Sequence, residues 1–119
     1  MPTHQLGEHE IQLHPPPSMA SRWEIFLLGP TNPWRAFGAA LAACWKGPGR
    51  PTATLARSGW SVAAWGGAVV DELVARGIEP AKVNAVGAVA FGLLSEGLIT
   101  EEQVQAAENG SGAGAPSTG

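Results

Sequence analysis

Residues 61–80 read Ser61-Val62-Ala63-Ala64-Trp65-Gly66-Gly67-Ala68-Val69-Val70-Asp71-Glu72-Leu73-Val74-Ala75-Arg76-Gly77-Ile78-Glu79-Pro80. Val62, Trp65, Val69 and Leu73 fall on one helical stripe, which predicts a helix from about Ser61 to Arg76. Gly77 is the residue that closes such a helix, and Ile78 is the apolar residue that folds back onto it. Pro80 suits the first turn of the next helix. Gly66-Gly67 costs the helix up to roughly 2 kcal/mol against alanine. Packing must offset that cost, and close approach of a neighbouring backbone is how a glycine pair does so. The same stop-and-restart device returns at Gly97-Leu98-Ile99-Thr100. Between the two, Val83, Val86, Ala90, Phe91 and Leu94 mark a helix opening at Pro80 and ending at Gly97. Thr100 with Gln103 makes a capping box for a short further helix to about Glu108.

Upstream, Asn32-Pro33 is a cap followed by a first-turn proline. Trp34, Phe37, Leu41, Cys44 and Trp45 follow at helical spacing, and Lys46 closes that helix against its dipole. Residues 47–60, with Gly47-Pro48-Gly49-Arg50-Pro51, form a connecting loop. Ser21 with Glu24 caps an earlier helix through Ile25, Phe26, Leu27 and Leu28, unless Ser18 starts it one turn sooner; Gly29-Pro30 ends it. At the start of the chain, Thr3–Leu6 and His9–Leu13 flank Gly7-Glu8, the signal of a two-residue hairpin turn. That turn pairs Leu6 with His9 and His4 with Ile11. Leu6, Ile11 and Leu13 then share one face with His4 and His9, and Gln5, Glu10, Gln12 and His14 share the other. A lone hairpin is marginal in water, so its apolar face must pack on something. Pro15-Pro16-Pro17 ends the second strand.

The expected fold class is therefore mainly α: four to five helices with an N-terminal β-hairpin. The expected organisation is a hairpin and Pro-rich link (1–17), a helical domain (18–109) and a flexible Gly/Ser/Ala tail (110–119). A chain of 119 residues suits one domain with a modest core. Its net charge of −3 offers no basic surplus for phosphates, so nucleic acid is not an expected partner. A single cysteine excludes an intramolecular disulfide and any multi-Cys zinc site. No apolar run reaches the roughly 20 residues of a membrane span, and no basic-then-apolar leader opens the chain, so neither membrane insertion nor export is expected. Charge is uneven. Residues 1–59 carry five bases and three acids, a net of +2; residues 60–119 carry two bases and seven acids, a net of −5. Such asymmetry can orient a partner or a second copy.

No catalytic set is legible. Cys44 lies on an apolar stripe, which reads as a buried inert thiol. Asp71-Glu72 and Glu101-Glu102 are adjacent and diverge on a helix. No phosphate-cradling glycine motif is present. His4, His9 and His14 lack a third metal ligand on a common face. The reading is a non-enzyme without metal or cofactor. Five tryptophans and no tyrosine stand out. Trp34, Trp45 and Trp65 fall on core stripes. Trp23 and Trp60, near helix starts and loops, are the candidate partner anchors, together with the hairpin's Leu6, Ile11 and Leu13.

The hairpin Leu6-Gly7-Glu8-His9-Glu10-Ile11-Gln12-Leu13, the proline run, the Ala-rich helices and the stretches 70–78 and 93–98 together resemble the tail assembly chaperones of long-tailed bacteriophages. The likeness spans about residues 3–108 at the level of architecture. It implies a small, mostly helical chaperone acting in the host cytoplasm. Such a chaperone binds the hydrophobic tape measure protein and recruits tail tube subunits before the tail is built, often with a frameshifted longer product. The family shares no invariant motif from which site residues carry over. A different class remains open beside it: a structural subunit of the virion, such as a head–tail connector or minor tail protein, whose hairpins pair between neighbouring copies.

Overall fold

The computed structural model describes residues 3–52 and 61–98. Two strands open the chain, β1 (His4–Leu6) and β2 (His9–Leu13). Four helices follow: α1 (Met19–Leu28), α2 (Pro33–Cys44), α3 (Val62–Ala75) and α4 (Pro80–Ser95). A two-residue strand, β3 (Trp45–Lys46), sits between α2 and α3. The sheet runs β1-β2-β3, all antiparallel. Mainly α with an N-terminal hairpin is thus the observed class.

The hairpin register is the expected one: His4 opposite Ile11, Gln5 opposite Glu10, Leu6 opposite His9. Gly7 takes φ 65° in the turn, a value that disfavours a side chain. The apolar face packs inward on the helices, because a hairpin this small needs a partner surface. Leu6, Ile11 and Leu13 are at most 3% exposed and join one core with Leu41, Val69, Leu73, Val83 and Leu94. This corrects their reading as partner contacts: they cover the chain's own helices.

Trp45 and Lys46 do not end a helix, as their spacing suggested, but pair with Leu13 and Gln12. The His14 N–H, donating to the Cys44 carbonyl at 2.9 Å, continues that pairing and ties the end of α2 to the hairpin. Lys46 is thereby a strand residue, not a helix-closing charge. Trp45 remains buried, its indole N–H reaching the Pro48 carbonyl.

Helices α1 and α3 begin on a side-chain cap, whereas α2 and α4 begin on a first-turn proline and neither Asn32, the expected cap of α2, nor Glu79 makes a capping hydrogen bond. Ser18, the earlier of the two candidate starts, accepts from the Ser21 N–H, and Ser61 accepts from the Ala64 N–H. Helix α3 closes as expected: the Gly77 N–H bonds the Val74 carbonyl and the Ile78 N–H reaches back to that of Leu73. The expected helix after Thr100, the tail from Gly110, and Trp60 with the rest of 53–60 lie outside the described residues.

The centre is built by backbone contact. A Cβ on Gly66 would stand 2.0 Å from the Arg35 carbonyl oxygen, and one on Gly38 would stand 2.4 Å from that of Gly66. The α2–α3 crossing therefore admits nothing larger than glycine at these points, which is the packing that offsets the Gly66-Gly67 penalty. Helix α2, filled with alanines, buries seven of its residues, among them Ala36, Leu41 and Cys44.

Candidate functional site

Four aromatic side chains form a continuous run across three helices. Trp23 of α1 meets Phe26 edge-on at 5.5 Å between ring centres, Phe26 stacks on Phe91 of α4 at 6.0 Å, and Phe91 meets Phe37 of α2 edge-on at 5.5 Å. Such pairs add about 0.5–1.5 kcal/mol each beyond buried area. All three phenylalanines of the chain are in the run.

The run is open at both ends. At one, Trp23 is 37% exposed and belongs to an outward stripe with Met19 and Leu27 on successive turns of α1. At the other, beyond Phe37, lies a cleft of about 290 Å³ lined by Trp34, Phe37, Val70, Pro80, Val83 and Asn84. No charged side chain lines it, and the Asn84 amide is its polar side chain. Ligand sites run from roughly 300 to 1,000 Å³, so this volume suits one bulky apolar side chain better than a cofactor.

Trp34 sits at the mouth of this cleft, 44% exposed. Its expected place in the core is corrected here. Periodicity puts it on the buried stripe of α2, but it stands in the first turn, beside Pro80 where α4 begins. There the neighbouring helices flank it without covering it. The Arg35 guanidinium lies 4.7 Å from its ring centre and donates to the Ala63 carbonyl at 3.0 Å, holding the indole face in place. Trp45 and Trp65 are buried as expected.

A second, more polar cavity of about 560 Å³ opens at the hairpin tip, bounded by Glu8, His9, Gly49, Arg76 and Ile78. Its charges serve the fold. Arg76 donates to the Gly49 carbonyl and pairs with Glu72 at 2.9 Å, while Glu72 accepts from the Thr52 N–H and hydroxyl at 2.8 and 2.9 Å. These bonds pin residues 49–52 to α3. The His9 ring occupies the space where a side chain on Gly49 would otherwise lie.

The basic half offers less free charge than its sequence suggests. Arg22 donates from Nε to the Leu94 carbonyl at 2.8 Å and from Nη2 to that of Glu96, capping the end of α4 across 72 residues of chain. Arg35 and Arg50 likewise hold the carbonyls of Ala63 and Ala42. Burial pushes the Cys44 thiol up to about 12, with nearby Arg22 acting weakly the other way. Its Sγ lies 3.7 Å from the Ala90 carbonyl oxygen, so the neutral thiol is a packing group. Among the described residues no three His, Cys, Asp or Glu side chains are placed to hold a metal ion, and no helix is long and apolar enough to cross a membrane.

Of the expected partner anchors, only Trp23 is exposed among the described residues. Sequence reasoning missed Trp34, Leu27 and the link through Phe91. No family model, curated protein or solved structure matches this chain.

Proposed function

We propose that the chain is a non-catalytic protein-binding module that takes an apolar segment of another protein against Trp34 and the cleft behind it. The observation that carries this reading is the uncharged cleft with a half-exposed tryptophan at its mouth. Tryptophan anchors beside pockets dominate binding energy at protein interfaces. An exposed indole held by a cation, on a chain with no catalytic set in its sequence, suits recognition better than turnover. With the resemblance to phage tail assembly chaperones, the partner is an apolar stretch of tape measure protein, and tail tube subunits join the same complex in the host cytoplasm.

The test is co-expression of the tagged chain with tape measure and tail tube proteins, together with mass spectrometry of finished particles. The reading expects capture of one or both proteins, loss of capture in Trp34→Ala, and absence from particles. A fixed number of copies per particle establishes a virion subunit instead. One observation favours that second reading: the His14–Cys44 bond sets the direction of alternate β2 groups, which leaves the Gln5 N–H and carbonyl on the open edge of β1. Its three-residue length argues against it, because short edges are how proteins avoid strand addition.

A further inference from the structure

Helices α1 and α4 lie side by side and run antiparallel. Along α1, Arg22 bonds the Leu94 and Glu96 carbonyls, Phe26 stacks on Phe91, and a Cβ on Gly29 would meet the Phe91 ring. Each helix buries the side that faces the core: Ile25 on α1, and Val83, Val86, Ala90 and Leu94 on α4. Their sides turned away from the core therefore form one surface, two helices wide.

The two halves of that surface differ in relief. Helix α1 raises Met19, Trp23 and Leu27 at 48%, 37% and 64% exposure, a ridge about 12 Å long at 1.5 Å per residue. Helix α4 presents Ala85, Ala88 and Gly92, all exposed and at helical spacing, as a trough about 10 Å long beside it. Between Lys82 and Glu96 that helix carries no charged residue. Gly92 shows how the trough is used. Gly38, Gly66 and Gly87 each lie against a neighbouring backbone, whereas a Cβ on Gly92 would meet nothing within 4 Å. Glycine weakens a helix interior relative to alanine, and the other three offset that weakness by close packing. The group that packs on Gly92 comes from outside the described core.

What fits the trough is a row of large apolar side chains of the same length, and the chain carries one a single helix away on the same face. We propose that this face binds a second copy of the chain about a two-fold axis lying between α1 and α4 and parallel to them. The Met19–Trp23–Leu27 ridge of each copy then seats in the Ala85–Ala88–Gly92 trough of the other. Such an axis exchanges left and right and keeps height, so ridge meets trough twice and the pairing closes on itself. An axis running across the helices would set ridge on ridge and leave both troughs empty. Phe26 and Phe91 share a level, so Leu27 of one copy falls over Ala88 of the other, and Trp23 over Gly92. The face is two helices wide and about three turns long, which places it at the low end of interface sizes and makes the dimer weak and reversible. Trp34 and its cleft lie beside the first turn of α4, outside this contact, so the assignment does not rest on the proposed function.

The test is sedimentation equilibrium of the full chain from about 1 μM to about 1 mM, with Gly92→Leu as the variant. The wild type is expected to approach twice the mass of one chain as concentration rises. Gly92→Leu fills the trough at a position with open space in the single chain. It is expected to weaken the dimer at least about tenfold, as loss of a well-packed anchor does, with no fall in the Tm of the dilute monomer. The arrangement is then read by mild oxidation of an equimolar mixture of Leu27→Cys and Ala88→Cys chains. Bridging needs Cα atoms within about 7 Å, and buried Cys44 does not compete. The mixed disulfide is expected to form at least about tenfold faster than either disulfide between like chains. A chain that stays monomeric throughout leaves the face to a different protein and overturns the proposal. So does a dimer that Gly92→Leu forms equally well, or bridging between like chains at the rate of the mixed pair.

Discussion

Helices α1 and α2 lie side by side in sequence and are held by opposite means. Helix α2 meets its neighbours through glycine and alanine, backbone against backbone, and buries seven of twelve residues. Helix α1 buries one of ten and is tied to the molecule by the aromatic contact of Phe26 with Phe91 and by the Arg22 guanidinium on the end of α4. Small residues remove a helix's outer face by letting others close around it. Large residues on a loosely seated helix leave a face over. Among the described residues the large exposed apolar side chains lie at the periphery: the α1 stripe, the first turn of α2, and single valines, Val74 and Val89, on α3 and α4.

That contrast can be broken from the inside first. Gly66→Ala forces a methyl group into the Arg35 carbonyl oxygen, 2.0 Å away. Backbone cannot yield as a side chain does, so a loss of about 3 kcal/mol is expected. Thermal unfolding should show it as a fall in Tm on the order of 10–20 °C. From the outside, Arg22→Ala removes charge-assisted bonds to two α4 carbonyls and leaves them without their donor. A loss of about 2 kcal/mol is expected in denaturant unfolding. Hydrogen exchange in that variant should accelerate in α1 and at the end of α4, and not in the α2–α3 crossing.

Cys44 sharpens the comparison by pH. Its folded value of about 12 lies above the ordinary thiol value of 9.0, and burial is the main cause. The protonated thiol is favoured in the folded state, so its contribution is complete below pH 9 and is lost as pH rises toward 12. Between pH 8 and 10 the stability of the wild type should fall by about 1.4 kcal/mol more than that of Cys44→Ala. The chain has no tyrosine to blur this measurement. A thiol reagent at neutral pH should leave the folded protein untouched and react on unfolding. A smaller effect is expected at Ser61→Ala, where loss of the cap costs about 1 kcal/mol and frays the start of α3.

What could be read beforehand follows from how local each feature is. The hairpin register follows from Gly7-Glu8 and two-residue alternation, and the α3–α4 joint from Gly77, Ile78 and Pro80. These depend on neighbours a few residues apart. The glycine pair announced a close contact without saying with what; the Arg35 carbonyl, some thirty residues away, is the answer. Helical periodicity placed Trp34 on the buried stripe because a wheel has no ends. Only the position of Pro80 shows that the stripe runs out before reaching it. Trp45 misled in the other direction, since a two-residue strand is set by its partner Leu13 and leaves no periodic signal. Arg22 on the α4 carbonyls spans too much sequence for any pattern to reveal.

Whether the exposed Trp34 serves binding rather than the core is tested by measuring thermal unfolding and capture of co-expressed tape measure protein on the same preparation of Trp34→Ala. The expected result is a stability change within about 0.5 kcal/mol of wild type, as for other surface positions, with capture reduced at least about tenfold, as for a hot-spot residue. A large loss of stability, or a complex formed as well as by wild type, would contradict it.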